Sequence, residues 1–522
     1  MFSTLPIIDL DPESLAYSRL QNGVLVQVLA PPEISNGSAF AAQCEHLFAL
    51  DVANRCEIGD KLGFLGFAFC VVITDTAAHR IFIASGANSL YRLYFREIEG
   101  RLQIADTLPP PRCPGELAGL IDRQELVRFL AGAWSSGPFE LKFSSTCIRS
   151  DWQRLPHGHY QVFDREASAG ARSFDNIFQD LDDSGLSLAS AIEALRHALD
   201  EHLGSLASLG GVAAEFSGGI DSGIVYARAR ALLGERFVGG VTADYPFFEF
   251  AREQPFRDAI LAQSGGRTHA ADPMKMLPFC RLKEVPCHDE PSVGSTSWGQ
   301  FSEAVATAAR AGAKVLLNGH GGDLAFLVPP GAPLAFAGLG ETPDWIPRRL
   351  ADEIAGEAET AIGHMNAFHP ALSGYWHPGM FEAGYLARYA NAEHPTLRYT
   401  SGLVSREVAR AALRLWRLDP PRARHLQKPV AHAAFGDDLP ATVWTRPGKV
   451  NHIGNVFRGA KAAARDILDI VDAHAQVLEI AGIAPARFRA HAAEIVNGRR
   501  APDQLFSQAL AVLVWVHCSI RP

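Results

Sequence analysis

No CxxC pair occurs anywhere in this chain. Its eight cysteines (Cys44, Cys56, Cys70, Cys113, Cys147, Cys280, Cys287 and Cys518) are scattered, which signals neither a zinc ribbon nor a disulfide framework. Reduced thiols in a cytosol are the expectation. Long apolar runs are also missing: the stretch 509–516 is far too short to span a bilayer. No basic segment followed by an apolar core opens the chain, so no secretory signal is read and a cytoplasmic protein is expected. There is no basic block, and the net charge is −9, which argues against nucleic acid as the principal partner. Neither repeats nor low-complexity tracts appear beyond a general enrichment in alanine.

What is present describes a folded, two-domain protein. A length of 522 residues exceeds one ordinary core. Hydrophobic residues at 48% and charged residues at 20% exclude a disordered chain. Residues 1–180 read as mostly β. VLVQVLA, FAFCVVITDT, HRIFIAS, SLYRLYFREIEGRLQIAD and GHYQVFD are short strands punctuated by Gly, Pro, Asn and Asp, with a hairpin expected at Glu99-Gly100. RQELVRFLAGAW is helical in pattern. The acidic, polar stretch 180–187 (DLDDSGLS) is a plausible boundary, which gives units of 1–180 and 181–522.

The second unit alternates strands and helices: a helix over 188–206, strands at 237–242 and 314–318, and helices over 249–263 and 295–311. Such alternation means a parallel sheet. Beyond about Leu339 the pattern reads as largely helical. Residues 211–222, GVAAEFSGGIDS, run from an apolar strand through a Ser-Gly-Gly turn into a helix. A strand that ends in glycines and feeds a helix aims several N–H groups and the helix's positive end at one point, which suits a phosphate. The Asp221 carboxylate just beyond can hold Mg²⁺, an ion that takes oxygen ligands and bridges phosphates. About a hundred residues on, the 314–318 strand runs into Asn318-Gly-His-Gly-Gly-Asp323. In a parallel sheet both turns lie beyond the carboxyl ends of the strands, where ligands sit.

The first turn resembles the SGGxDS pyrophosphate loop of the ATP pyrophosphatases, the group that includes asparagine synthetase. The second resembles the sGxGxDE segment at the corresponding place. This resemblance implies a PP-loop α/β synthetase domain with a helical C-terminal extension that uses ATP and Mg²⁺. Ser217, Gly218, Gly219, Asp221, Ser222, Val241, Thr242 and Gly319 are then nucleotide contacts, with Asp221 and Asp323 as metal ligands. Residues 152–160 (WQRLPHGHY) resemble the closing strand of the family's N-terminal glutaminase sandwich. That domain hydrolyses glutamine with a terminal cysteine exposed after Met removal. Here position 2 is Phe2, which has no nucleophile to offer. The implied sandwich is therefore a class II amidotransferase-like domain without glutaminase activity.

Three residues before the metal aspartate, the family carries Glu in asparagine synthetases and Tyr in β-lactam synthetase; here the residue is His320. A peptide α-amine has a pKa of roughly 7.7–8.0, so an attacking amine must lose a proton near neutrality. An imidazole with a pKa of roughly 6.5 can take it. Lys449, in a late RPGK loop similar to that of lasso-peptide cyclases, corresponds to the lysine that stabilises the oxyanion and the departing phosphate; Arg446 and Arg458 are weaker candidates. Asp289 and Glu290 are possible pocket residues, or equally an N-cap and turn. Glutamates near Glu353 could orient His320. The whole pattern is most similar to the macrolactam synthetases of lasso-peptide biosynthesis. These activate an Asp or Glu side chain of a core peptide and join it to the peptide's own N-terminal amine, alongside a leader peptidase and a leader-recognition protein. A β-lactam-type synthetase, an ammonia-dependent asparagine synthetase and a non-catalytic nucleotide-binding scaffold are the alternatives.

Overall fold

The computed structural model describes all residues except 1–5, 13–14, 37–38, 51–57, 59–60, 63–64, 66–68, 87–90, 133–144, 165–171, 174–185, 246–252, 328, 330–331, 334–341, 368–393, 419–427, 447–452 and 521–522. The N-terminal region is a sandwich of two sheets. One runs β1 (Ile7–Asp9), β7 (Arg101–Ala105), β6 (Tyr94–Ile98), β8 (Gln153–Arg154). The other runs β10 (Arg172–Ser173), β9 (His159–Phe163), β5 (Arg80–Ser85), β4 (Cys70–Asp75), β3 (Val24–Leu29), β2 (Leu15–Gln21). Their facing side chains close one core, in which Val72, Ile81 and Ile83 meet Phe95, Leu102 and Ile104. The six-stranded sheet is buried on its other face as well, where Val26, Val28, Val71, Ile73, Phe82 and Ala84 enter a second core. The expected hairpin joins β6 to β7, with positive φ at Glu99 and Gly100, as a two-residue primed turn requires.

The second region is built on a five-stranded sheet in the order β13 (Thr268–Ala270), β12 (Phe237–Thr242), β11 (Val212–Glu215), β14 (Val315–Asn318), β15 (Arg398–Ser401). Every pairing in it is parallel. β15 is the exception within a stretch beyond about Leu339 that is otherwise largely helical, as expected, among the described residues: RYTS is a four-residue edge strand, too short for alternation to show. One face of the sheet is covered by α2 (Leu188–Ala207), capped by Ser187, and α3 (Ile220–Leu233), with α8 (Arg406–Arg417) and α9 (Pro429–Phe435) packed on them. The other face meets α5 (Trp298–Arg310) and the closing helices α11 (Ala464–His474), α12 (Pro485–Val496) and α13 (Gln504–Ser519). α13 is buried nearly all round, so its apolar run 509–516 is core. Among the described residues, no helix is long and apolar enough to cross a membrane.

Two further helices bridge the regions. α1 (Arg123–Ala131), capped by Asp122, packs against α7 (Arg348–Asn366), and its apolar side joins the core of the closing helices. Arg123 pairs with Glu353 at 2.6 Å and Arg128 with Glu357 at 2.8 Å. Glu353 also accepts from Arg349 at 3.1 Å, so this glutamate is engaged in docking α1 rather than in orienting His320. Glu290 lines a small cavity, and its carboxylate is likewise engaged in ion pairs. It lies between Arg92 (2.7 Å) and Arg154 (2.6 Å) of the sandwich, all three 2% exposed or less. Asp289 accepts the Leu108 N–H at 2.7 Å.

Candidate nucleotide and metal site

β11 ends at Glu215, and the chain turns through Ser217–Gly219 into α3, for which Gly219 is the N-cap. The turn is tied internally. Ser217 Oγ lies 3.0 Å from Ser222 Oγ and accepts the Gly219 N–H at 3.2 Å. Gly218 has φ +90°, and a Cβ there would sit 2.9 Å from both Arg257 Cγ and the Glu253 carbonyl oxygen. Glycine is therefore required twice over, by conformation and by the approach of α4 (Gln254–Ser264). The turn leaves Ser217 exposed at the mouth and Ser222 buried behind it.

β14 is the next strand over, and its turn leads through Gly319–Gly321 into the short helix α6 (Gly322–Phe326), which carries Asp323. The two turns touch. A Cβ on Gly322 would lie 2.3 Å from Asp221 Oδ1, and one on Gly319 would lie 2.9 Å from the Ser222 nitrogen. Residues a hundred positions apart are thus brought to van der Waals contact by adjacent parallel strands, with glycine in the second motif making room for the aspartate of the first. Val241 and Thr242 close β12 on the other side, and the Phe216 N–H donates to the Val241 carbonyl at 2.7 Å.

The residue that joins the carboxylates was not found from sequence. Lys428 Nζ lies 2.5 Å and 2.6 Å from the two oxygens of Asp221 and 2.7 Å from Asp323 Oδ1, with its side chain 3% exposed. Lys428 immediately precedes Pro429 at the start of α9, and no local pattern distinguishes it from a solvated lysine. Its ammonium marks the point where the two carboxylates converge as one that holds positive charge. The donor set, two carboxylates on adjoining strand ends, consists of hard oxygens and fits Mg²⁺. Among the described residues no cluster of three or more His, Cys, Asp or Glu exists, so phosphate oxygens and waters must complete such a coordination sphere.

His320 sits between the glycines of the second turn. Its N–H donates to Asn318 Oδ1 at 3.0 Å, and its carbonyl accepts from Ser401 Oγ at 2.8 Å. The residue is exposed at the turn. Desolvation by the protein around it still lowers its pKa below the ordinary histidine value, so the imidazole is neutral and able to accept a proton at pH 7. Behind the first turn, the buried Arg446 guanidinium donates to the Gly218 carbonyl at 3.2 Å and stacks 4.8 Å from the Phe256 ring centroid. Glu253 is pushed up by burial, against the pull of Arg446 and Arg257. Lys449 lies outside the described residues, as does Phe2. Arg458 is on α10 (Ile453–Ala462).

The family profile described as Asparagine synthase matches residues 191–399, a span that contains both turns and strands β11 to β14. No curated protein matches the chain. Lys428 and Arg446 lie beyond the matched span. Paired acidic turns at the carboxyl edge of a parallel sheet and the family match agree: residues 191–399 are similar to an asparagine synthase domain.

Proposed function

We propose that this protein is an AMP-forming cyclase that activates a side-chain carboxylate of a peptide with ATP and joins it to the peptide's own N-terminal amine. The observation that carries the reading is the convergence of Asp221 and Asp323 across two touching turns. ATP is the substrate, and Mg²⁺ bound by these two carboxylates would neutralise the charge of the departing pyrophosphate. The glycine turn and the start of α3 hold the phosphates through backbone N–H groups. Lys428 keeps the two carboxylates together and places a cation at the phosphate end of the site. His320, neutral at pH 7, takes the proton from the attacking ammonium. Lys449 stabilises the oxyanion that this attack creates.

Nitrogen from the substrate itself, rather than from glutamine, is favoured by the state of the N-terminal region. Cys44, the first cysteine of the chain, is fully buried, and burial pushes its thiol up to about 12. A thiol in that state is no nucleophile. The sandwich is accordingly read as an amidotransferase-like domain retained for structure. A core peptide, a leader peptidase and a leader-recognition protein are the partners in this reading, in a cytoplasmic setting.

The test is direct. Protein, ATP, Mg²⁺ and a leader-cleaved peptide with an internal Asp or Glu should give a product lighter by one water, with AMP and PPi in equal amounts. ADP and phosphate instead of AMP and PPi would exclude the reading.

A further inference from the structure

Arg446, which precedes Lys449 by three positions in the chain, reaches the buried side of the first turn. The short helical turn Ala441–Trp444 brings it there. Val443 and Trp444 are buried in the core that also holds α3, Trp444 Nε1 donates to the Gly436 carbonyl at 3.2 Å, and the turn packs beside α4. From that base the Arg446 guanidinium, its side chain 3% exposed, donates from Nη1 to the Gly218 carbonyl at 3.2 Å. It sits over the Phe256 ring of α4, 4.8 Å from the centroid, and Glu253 stands 3.9 Å from its Nη2. Burying an arginine is costly unless its charge and its donors are met. Here α4 and the residue before it supply the ring and the carboxylate, and the first turn supplies an acceptor.

The acceptor belongs to a peptide group that needs holding. Gly218 and Gly219 are consecutive, so the peptide unit between them has no Cβ on either side. Rotation of such a unit meets little steric resistance. Both of its polar groups are engaged: the carbonyl accepts from Arg446, and the Gly219 N–H donates to Ser217 Oγ at 3.2 Å. The Gly218 side of the turn is packed, since a Cβ there would already meet the Glu253 carbonyl oxygen and Arg257 Cγ. A flip of the unit would turn the carbonyl lone pairs toward the mouth, where the opening of α3 presents N–H groups to an anion. A carbonyl oxygen at that place repels a phosphate. A hydrogen bond from a charged donor is worth more than one between neutral groups, so a guanidinium is a firm hold on the orientation.

We propose that Arg446 is a positioning residue that locks the Gly218–Gly219 peptide with its carbonyl on the buried side, so that the first turn keeps the polarity an anion needs. Arg446 acts through the backbone of the turn and not on the reacting atoms. That the anion is the triphosphate of ATP rests on the function proposed above; that Arg446 holds the peptide does not.

The test compares the full chain with Arg446→Ala and Arg446→Lys. Lysine keeps the charge, but its nitrogen ends one bond short of the arginine Nη atoms and lacks the planar fork. Circular dichroism first establishes that each protein is folded. Mg-ATP dissociation constants are measured by calorimetry, and hydrogen exchange is followed in the peptide covering residues 217–222. Each is repeated with methylguanidinium, and with methylammonium and sodium chloride at the same concentration as controls. Arg446→Ala should bind Mg-ATP at least about tenfold more weakly, roughly 1.4 kcal/mol, and exchange in 217–222 should be roughly fivefold faster. Methylguanidinium should restore most of both, because it fits the space left over Phe256 and donates to the same carbonyl; methylammonium and salt should not. Arg446→Lys should fold and still lose at least about threefold in affinity. Mg-ATP binding by a folded Arg446→Ala within about twofold of the unsubstituted protein would overturn the proposal. Recovery of its unfolding midpoint by methylguanidinium without recovery of affinity, the behaviour of a purely structural arginine, would overturn it too. Were Arg446→Ala not to fold, full affinity in Arg446→Lys would have the same force. Failure of the unsubstituted protein to bind Mg-ATP would instead remove the nucleotide reading, and exchange in 217–222 would then decide whether Arg446 holds the peptide.

Discussion

Glu290→Gln replaces one oxygen by nitrogen at the junction between the sandwich and the synthetase-like region, and its cost follows from what remains. The Glu290 carboxylate accepts from Arg92 at 2.7 Å, Arg154 at 2.6 Å and the Tyr94 hydroxyl at 3.3 Å. The two arginines are each 1% exposed. Burial is the largest influence on the Arg154 charge and works against it; Glu290, helped by Cys147 and Glu125, leaves its pKa raised all the same. Take that negative charge away and two buried guanidiniums are left facing each other. Breaking a buried pair by removing one partner costs about 3–5 kcal/mol. Against a whole-domain stability of roughly 5–15 kcal/mol, such a loss is a large share. Urea unfolding followed by far-UV circular dichroism should show the sandwich transition moved to lower denaturant, separated from that of the parallel-sheet region. Replacing all three residues together (Arg92→Met, Arg154→Met, Glu290→Leu) should recover most of the loss, because the desolvation cost vanishes with the charges. A cost below about 1 kcal/mol for Glu290→Gln, or a triple variant as unstable as the single one, would refute the reasoning.

Three further expectations concern the site. Gly322→Ala places a methyl group 2.3 Å from Asp221 Oδ1; it should shift the aspartate and weaken Mg-ATP binding at least about tenfold, roughly 1.4 kcal/mol, by calorimetry. For Glu215 the sign of the pH effect on stability is fixed by its pKa, which burial raises. Folding favours the protonated acid, so stability falls as pH rises from 4.5 to about 7 and is level above that. Glu215→Gln should therefore be more stable than the unsubstituted protein at pH 8, by up to about 3 kcal/mol, and equal to it near pH 4.5, in denaturant titrations at the two pH values. His320→Ala should slow ring closure more than AMP formation, and the His320-dependent limb of the unsubstituted protein's rate should lie at a pH below the ordinary histidine value. Equal loss of both steps would remove His320 from the role of base.

Much of the fold was legible because local rules and tertiary packing agree there. β12 occupies the stretch read from FVGGVT, and α2 begins after Ser187 and covers the amphipathic pattern that was read. The helix expected from Glu249 is described from Gln254, with Pro255 in its first turn. The one expected from Ser295 opens as a 3₁₀ turn, Val293–Ser297, before Trp298 continues it as α5. The two glycine turns were visible because their spelling is a local demand of backbone geometry. What was not legible depends on side chains arriving from elsewhere. Lys428 is a lysine before a proline until α9 packs beside α3. Glu290 read as a pocket or turn residue, because the arginines that bury it lie 198 and 136 positions away. Glu215 was hidden inside an apolar run, and only β15, itself unread, brings the Tyr399 hydroxyl to it, at 3.2 Å.

The most direct test of the whole is calorimetric titration of ATP into the protein with and without Mg²⁺, repeated for Asp221→Asn and Asp323→Asn. Binding should require Mg²⁺ and should be lost in both variants, with circular dichroism unchanged. Mg²⁺-independent binding, or an Asp323→Asn variant that binds as the unsubstituted protein does, would contradict a shared metal held between these two turns.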